Sequence, residues 1–118
     1  MPAATAQHLD LALRALADSN RRRILALLRD QPRAVGEIAE QIAMSQQAVS
    51  FHLQVLHGAG LVTQRRERTR HLFVVHTDGL RAVQDLLDTF WPTHLAALKR
   101  AAEAEARRTT DEGPPRDG

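Results

Sequence analysis

Residues 45–61 constrain the fold of this 118-residue chain more than any other segment, because one short helix carries two different faces. Val49, Leu53 and Leu56 recur at i, i+4 and i+7, which predicts an apolar stripe packed against a core. A solvated helix face would normally carry lysine and glutamate, but this one carries neutral hydrogen-bonding groups: Gln46, Gln47, Ser50 and Gln54. Such groups can bond the base edges of a DNA major groove, or they can simply contact water.

Three helices are predicted before this segment. Apolar spacing indicates one from about His8 to Ala17, a second from Ser19 to Arg29 and a third from Val35 to Ile42. The second helix ends before Pro32, because the residue preceding a proline is pushed out of the helical region. Ser45 is well placed to cap the fourth helix. The third and fourth helices, joined by a three-residue turn, therefore form a helix-turn-helix.

The pattern changes from helix to strand after the fourth helix, which its polar face predicts to be the recognition helix, the element that enters the DNA major groove. Gly58 and Gly60 are predicted to close that helix, since glycine accepts left-handed geometry. Residues 62–66 and 70–76 are rich in strand-forming side chains, which predicts a hairpin, or wing. Its tip lacks Asn-Gly or Asp-Gly, so we expect a longer and mobile loop. The wing carries four arginines: Arg65, Arg66, Arg68 and Arg70.

Two further helices are predicted in the C-terminal third. One starts near Asp78, and the last runs from Pro92, a first-turn proline, to about Arg107. Residues 1–107 are therefore expected to form one domain, and the polar, Pro/Gly-rich residues 108–118 a disordered tail. The first and last helices have apolar faces that a small core leaves uncovered, which favours a homodimer over packing within the chain. The predicted dimer contacts are Leu9, Leu13, Trp91, Leu95 and Leu98.

The basic residues are clustered although the net charge is only +2. Residues 21–33 hold five arginines against one aspartate, and residues 65–70 hold four arginines against one glutamate. These clusters flank the recognition helix in sequence, so they are candidates for phosphate contacts, or else ordinary surface charge.

Several function classes are excluded or disfavoured by the residues. The chain has no cysteine, which excludes disulfides, thiolate metal ligands and cysteine nucleophiles. No secretory leader or membrane-length apolar run is present, so a cytoplasmic protein without membrane contact is expected. No catalytic Ser/His/Asp order, glycine-rich phosphate loop or paired carboxylates indicate an enzyme, so catalytic residues are not expected.

Three segments resemble the ArsR/SmtB-type winged-helix transcriptional repressors. Residues 16–28 are similar to the second-helix signature of that family, residues 45–53 to its recognition-helix motif, and residues 56–62 with Arg65 and Arg66 to its entry into the wing. The resemblance implies a mainly α fold with a small β-hairpin wing, and a homodimer through its first and last helices. It also implies docking on a pseudo-palindromic operator in double-stranded DNA, which blocks transcription until an inducer of unknown identity releases the protein.

The chain departs from the metal-sensing members of that family. Those members use cysteines near the recognition helix, or aspartate and histidine pairs on the penultimate helix. Asp85, Asp88 and His94 lie in the relevant region without the ligand spacing, so neither a metal nor a cofactor is expected. Phe90 and Trp91, together with residues 92–99 after them, resemble a metal-independent branch of the family. Phe51 stands where many members carry a basic residue, and it could contact a thymine methyl group or cover the edge of the core.

The residues together favour a sequence-specific DNA-binding transcriptional regulator, a homodimeric repressor. Two alternatives stay open: a winged-helix protein-interaction module that does not bind DNA, and a repressor that responds to metal through histidine and carboxylate groups. His52 could donate to a phosphate or satisfy a backbone carbonyl. The predicted DNA contacts are Ser45, Gln46, Gln47, Ser50, Phe51, His52, Gln54, Arg65, Arg66, Arg68 and Arg70.

Overall fold

The computed structural model describes residues 3–90 and 92–111, with side chains at residues 6–90 and 96–109. It divides into two compact units, Met1–Gln84 and Asp85–Gly118. Within the described ranges there are six helices and one two-stranded antiparallel sheet. They are α1 (Ala3–Leu16), α2 (Ser19–Asp30), α3 (Val35–Ile42), α4 (Gln46–Gly58), β1 (Val62–Glu67), β2 (Arg70–Val75), α5 (Asp78–Asp88) and α6 (Pro92–Asp111).

The first unit has one core, built from the apolar stripes of its helices and the base of the hairpin. The apolar stripe, or seam, predicted on α4 is confirmed, because Val49, Leu53 and Leu56 are all buried. They pack in one cluster with side chains that include Ile24 and Ile38 from the two preceding helices. Full burial of each large aliphatic side chain contributes roughly 1.5 to 3 kcal/mol. This seam therefore fixes which face of α4 is left outside.

The helix boundaries agree with the sequence in all but a few residues. α1 begins five residues earlier than predicted, and α2 ends one residue later. Ser45 caps α4 as expected, since its Oγ accepts a hydrogen bond from the Ala48 N–H at 3.1 Å. Ala43, with φ of 56°, ends α3 in the left-handed conformation, and its N–H donates to the Ala39 and Glu40 carbonyls. The predicted helix-turn-helix is confirmed.

Asp18 caps the N-terminus of α2. Its Oδ1 accepts hydrogen bonds from the backbone N–H groups of Asn20 (2.8 Å) and Arg21 (3.1 Å). The bond from the Arg21 N–H holds the pKa of the Asp18 carboxyl below its ordinary value of 3.8; desolvation opposes this, while the Asn20 N–H and the Arg21 charge add to it. A carboxylate with a lowered pKa stabilises the folded state above the unfolded-state pKa and loses that effect as pH falls through the folded-state value.

Acid stability should reveal this cap. Asp18→Asn keeps a good capping side chain but removes the titrating charge. We expect wild type to melt at a higher temperature than Asp18→Asn at pH 7, and the gap to shrink as pH falls below about 3.8. Melting both proteins by circular dichroism from pH 7 to pH 3 measures the gap. A gap that stays constant to pH 3 would show that the Asp18 charge does not contribute to it.

The wing is tighter than predicted. β1 pairs with β2 in the register Val62↔Val75 through Glu67↔Arg70, so only Arg68 and Thr69 connect the strands. The expected longer loop is therefore wrong. A two-residue hairpin needs positive φ at its first or at both connecting residues, and Arg68 adopts φ of 58° without being glycine or asparagine. The predicted strand ends shift by one residue each, because β1 extends to Glu67 and β2 ends at Val75.

The end of α4 depends on one glycine rather than two. Gly60 has φ of 72°, and its N–H donates to the His57 carbonyl while the Leu61 N–H donates to Leu56. These two bonds form a Schellman motif with Gly60 at the left-handed position. Gly58 is instead the last residue of the helix and does not have positive φ, so its predicted role is wrong.

The C-terminal residues form the end of α5 and all of α6. α6 begins at Pro92 as predicted and continues to Asp111, four residues beyond the predicted end. Trp91 and residues 112–118 lie outside the described residues, as does the side chain of Leu95. Of the other predicted dimer contacts, Leu9 is only 9% exposed and is buried within its own chain. Leu13 and Leu98 are 39% and 67% exposed. None of the described helices is long and apolar enough to cross a membrane.

Candidate nucleic-acid interface

The outward face of α4 is formed by Gln47, Phe51 and Gln54. These side chains follow one another at i, i+4 and i+7, and all three are exposed. Successive helical residues are turned by about 100°, so residue 51, midway between the buried residues 49 and 53, lies nearly opposite the seam. The exposed stripe therefore presents two amide groups with an aromatic ring between them.

The other two polar residues of α4 lie on one flank. The Gln46 amide Nε2 is 3.5 Å from where a Cβ on Gly36 would stand, so this side chain lies beside α3. Ser50 is half-buried. The four predicted polar groups thus divide into Gln47 and Gln54, which face outward, and two residues on one flank of the seam: Ser50, and Gln46, which is exposed but has its amide beside α3. The sequence-based prediction grouped all four residues by their polarity, although helical spacing places Gln46 and Ser50 nearer the seam than Gln47 and Gln54.

His52 is held by an arginine from α2. The Arg21 Nη1 lies 3.3 Å from the His52 Nδ1, and a guanidinium can only donate. Nδ1 is therefore the acceptor, and in the neutral ring the proton is on Nε2. Neither predicted role of His52, phosphate donor or partner of a backbone carbonyl, describes this contact. The outer Nε2–H can still donate to another group.

Arg21 is a structural residue in this arrangement. It is 14% exposed, and its guanidinium donates to the carbonyls of Ala15 at 2.8 Å and Arg14 at 3.1 Å. Arg22 likewise donates to the Leu16 carbonyl at 2.7 Å. These carbonyls belong to the last turn of α1, which lacks the N–H groups of a following helical turn; the Arg14 carbonyl also accepts from the Ala17 N–H at 3.3 Å. Two of the five arginines at residues 21–33 thus serve the junction of α1 and α2, which charge counting could not show.

The four wing arginines have different partners. Arg65 lies 3.7 Å from the Glu67 carboxylate, and Arg70 forms an ion pair with Glu37. Arg66 donates from Nε to the Arg68 carbonyl at 3.3 Å. Within the described part of the chain, neither Arg66 nor Arg68 has a carboxylate partner, and both are exposed. These two side chains therefore carry the uncompensated positive charge of the wing.

Glu37 joins the wing to the helix-turn-helix. Its Oε1 accepts both the Ala34 N–H at 3.1 Å, which caps α3, and the guanidinium of Arg70. One residue before that cap, Arg33 pairs in antiparallel fashion with Phe73 of β2 through two backbone hydrogen bonds. The hairpin is therefore tied to the start of α3 at two places. Sequence analysis did not single out Glu37; its position three residues into the helix was the available signal.

A groove separates α4 from the wing. It has a volume of about 480 Å³ and a floor that includes Val35, Leu53 and Phe73. Ser50 and Gln54 line it from the side of α4, while Gln64 and His71 line it from the wing. Two elements that both carry neutral hydrogen-bonding groups thus face each other, and all nine lining residues lack a charge that would repel an anion at neutral pH.

Comparison with known proteins agrees with this geometry. Residues 16–65 match the family model of a helix-turn-helix domain. The chain is 40% identical over 100 residues to the HTH-type transcriptional regulator Rv2034 of Mycobacterium tuberculosis, covering 85% of this chain and 94% of that one. It is 35% identical over 75 residues to the transcriptional activator HlyU of Vibrio cholerae, covering 64% of this chain and 69% of that one.

A solved structure of a related protein has the same fold. The homodimeric winged helix-turn-helix DNA-binding domain of a possible ArsR-family regulator from Mycobacterium bovis superposes with a TM-score of 0.62 at 35% identity, covering 79% of this chain and 86% of that one. These relatives are transcriptional regulators, not enzymes. With its helix-turn-helix, its two-stranded wing and this similarity, the chain belongs to the ArsR family of winged helix-turn-helix transcriptional regulators.

Proposed function

We propose that this protein is a homodimeric, sequence-specific DNA-binding repressor that acts in the cytoplasm on a pseudo-palindromic operator. Gln47 and Gln54 read base edges in the major groove, with Ser50 at the flank. Arg66 and Arg68 of the wing neutralise phosphates and release counterions. Ser45 caps α4 and so presents the helix N-terminus, a favourable site for a further phosphate. Repression follows where the operator overlaps the promoter.

One observation carries the proposal: polar groups of α4 and of the wing face each other across a single groove. In this arrangement α4 can lie in the major groove while the adjacent backbone strand lies between helix and wing. Arg66 and Arg68, both exposed and without a carboxylate partner among the described residues, lie on the wing beside a helix face of neutral amides. The contact types therefore divide into phosphate anchoring and base reading, as in DNA recognition.

A dimer is supported by the apolar side chains that remain exposed. Leu11 and Leu13 on α1 are 44% and 39% exposed, and Leu98 on α6 is 67% exposed. Each of these helices alone offers an apolar surface suited to a second copy. The homodimeric relative from M. bovis has the same fold. Two copies would place their recognition helices on half-sites about one helical turn apart, or a multiple of that distance.

Binding to the DNA upstream of the protein's own gene tests the proposal. We expect a retarded complex in an electrophoretic shift assay, protection of two half-sites in a footprint, and weaker binding as salt rises. Repeating the assay with added metals and with chelator tests whether metal releases the protein. If the chain binds neither this DNA nor duplexes selected from a random pool, the protein-interaction alternative is favoured instead.

Neighbouring glutamines provide a matched test of base reading. Gln47→Ala should weaken operator binding by roughly 1 kcal/mol per half-site, because Gln47 faces outward. Gln46→Ala should cost much less, because Gln46 lies beside α3. Fluorescence anisotropy with operator and with unrelated duplex measures both affinities, and only the operator affinity should change. Equal losses for the two variants would contradict the outward placement of Gln47.

A further inference from the structure

Phe51 is an exposed aromatic side chain in the middle of the base-reading face. It is 58% exposed, and its position opposite the buried seam keeps the ring from covering the edge of the core. Single exposed apolar residues are common on protein surfaces, so exposure alone assigns no role. The surroundings of the ring provide the second observation.

The Phe51 ring contacts His52, and through it a series of contacts that connects α4, α2 and α1. It meets the His52 ring edge to face, with centroids 5.8 Å apart and planes inclined at 64°. His52 in turn accepts from Arg21, whose guanidinium is fixed by the last carbonyls of α1. An aromatic pair of this geometry contributes an attraction beyond the area it buries. This contact favours one orientation of the Phe51 ring in the free protein.

The chemistry of the major groove offers one apolar feature to such a ring. Base edges there present hydrogen-bond donors and acceptors, except for the C5-methyl group of thymine. Gln47 and Gln54, on either side of Phe51 along the stripe, can each bond an adenine edge with two hydrogen bonds. We propose that Phe51 is a specificity-determining residue that packs on a thymine methyl group in each half-site. This thymine would lie within an A/T-containing triplet that α4 reads, and the inference rests on the proposed function.

Deoxyuridine in place of thymine tests this, because it removes the methyl group and keeps every hydrogen-bonding group. Duplexes are first selected from a random pool with the full chain, and each thymine of the selected site is then replaced singly. We expect one thymine per half-site at which the replacement lowers wild-type affinity about fourfold, and about fifteenfold when both half-sites are changed.

Three variants identify the reader of that methyl group. Phe51→Ala should bind thymine and deoxyuridine operators equally, whereas Phe51→Leu, which keeps an apolar side chain, should retain part of the preference. Gln47→Ala should bind more weakly but keep the full deoxyuridine penalty, because its amide is not the methyl contact. Since Phe51 is exposed, its replacement should leave the melting temperature within a few degrees of wild type.

The outcomes distinguish this inference from the function on which it rests. Salt-sensitive duplex binding with no penalty for deoxyuridine at any thymine overturns the role of Phe51 and leaves the DNA-binding proposal intact. A penalty that Phe51→Ala shares equally with wild type also overturns it, because another group or the shape of the DNA then reads the methyl. Absence of duplex binding by the wild type overturns both.

Discussion

Replacing Arg66 and Arg68 together with glutamate should lower operator affinity about a thousandfold at 0.15 M salt while the protein stays folded. Each phosphate contact on duplex DNA contributes about 0.9 to the magnitude of the slope of log affinity against log salt concentration. At 0.15 M salt, losing one contact therefore lowers the affinity about fivefold. A dimer would lose four such contacts. Both side chains are exposed and lack a carboxylate partner among the described residues, so their replacement breaks no ion pair of the fold.

The salt dependence separates lost phosphate contacts from misfolding. The slope of log affinity against log salt should fall in magnitude by about 3 to 4 in the double variant. Arg29→Glu combined with Arg81→Glu makes the same change in net charge at exposed sites outside the proposed interface, and should have a much smaller effect. If the control variant loses as much affinity as the wing variant, net charge rather than the wing determines binding.

Apolar spacing was enough to predict the helices and the seam that turns α4 outward. Val49, Leu53 and Leu56 are buried as expected, because all three lie on the one face of the 13-residue helix that packs against the core. The turn at the wing tip was not predictable from local preference, since Arg68 takes a left-handed conformation that the strand register imposes. Local sequence thus specified the elements, and tertiary pairing decided the geometry between them.

The fates of the charged side chains could not be predicted from their clustering. Arg21 and Arg66 look alike in sequence, each in a run of basic residues. Arg21 is held close to the protein by two carbonyls of the last turn of α1, whereas Arg66 has no comparable set of acceptors and stays exposed. Which carbonyls an arginine can reach depends on where two helices meet. Candidate phosphate contacts are therefore the arginines that lack partners within the protein, and the folded structure is needed to identify them.

Gly79→Ala should destabilise the protein by roughly 3 kcal/mol, an overpacking effect at a buried backbone contact. A Cβ at this position would stand 2.4 Å from the Ala59 carbonyl oxygen and 2.9 Å from the Leu61 Cδ2, closer than such atoms can approach. The Gly79 N–H also donates to the Gly60 carbonyl at 2.9 Å, so the start of α5 cannot move away without losing that bond. The sequence indicated only that a helix could begin here.

Gly58→Ala is the matched control, because nothing lies within 4 Å of a Cβ at that position. Gly58 is helical, and alanine is favoured over glycine within a helix. The free energy of unfolding of this variant should therefore rise by roughly 0.5 to 1 kcal/mol. Thermal melts should therefore show Gly79→Ala lower by roughly 15 °C and Gly58→Ala higher by a few degrees. The same substitution would thus have opposite signs at two glycines about 20 residues apart. A Gly79→Ala protein that melts within two or three degrees of wild type would mean that α5 does not start against the end of α4.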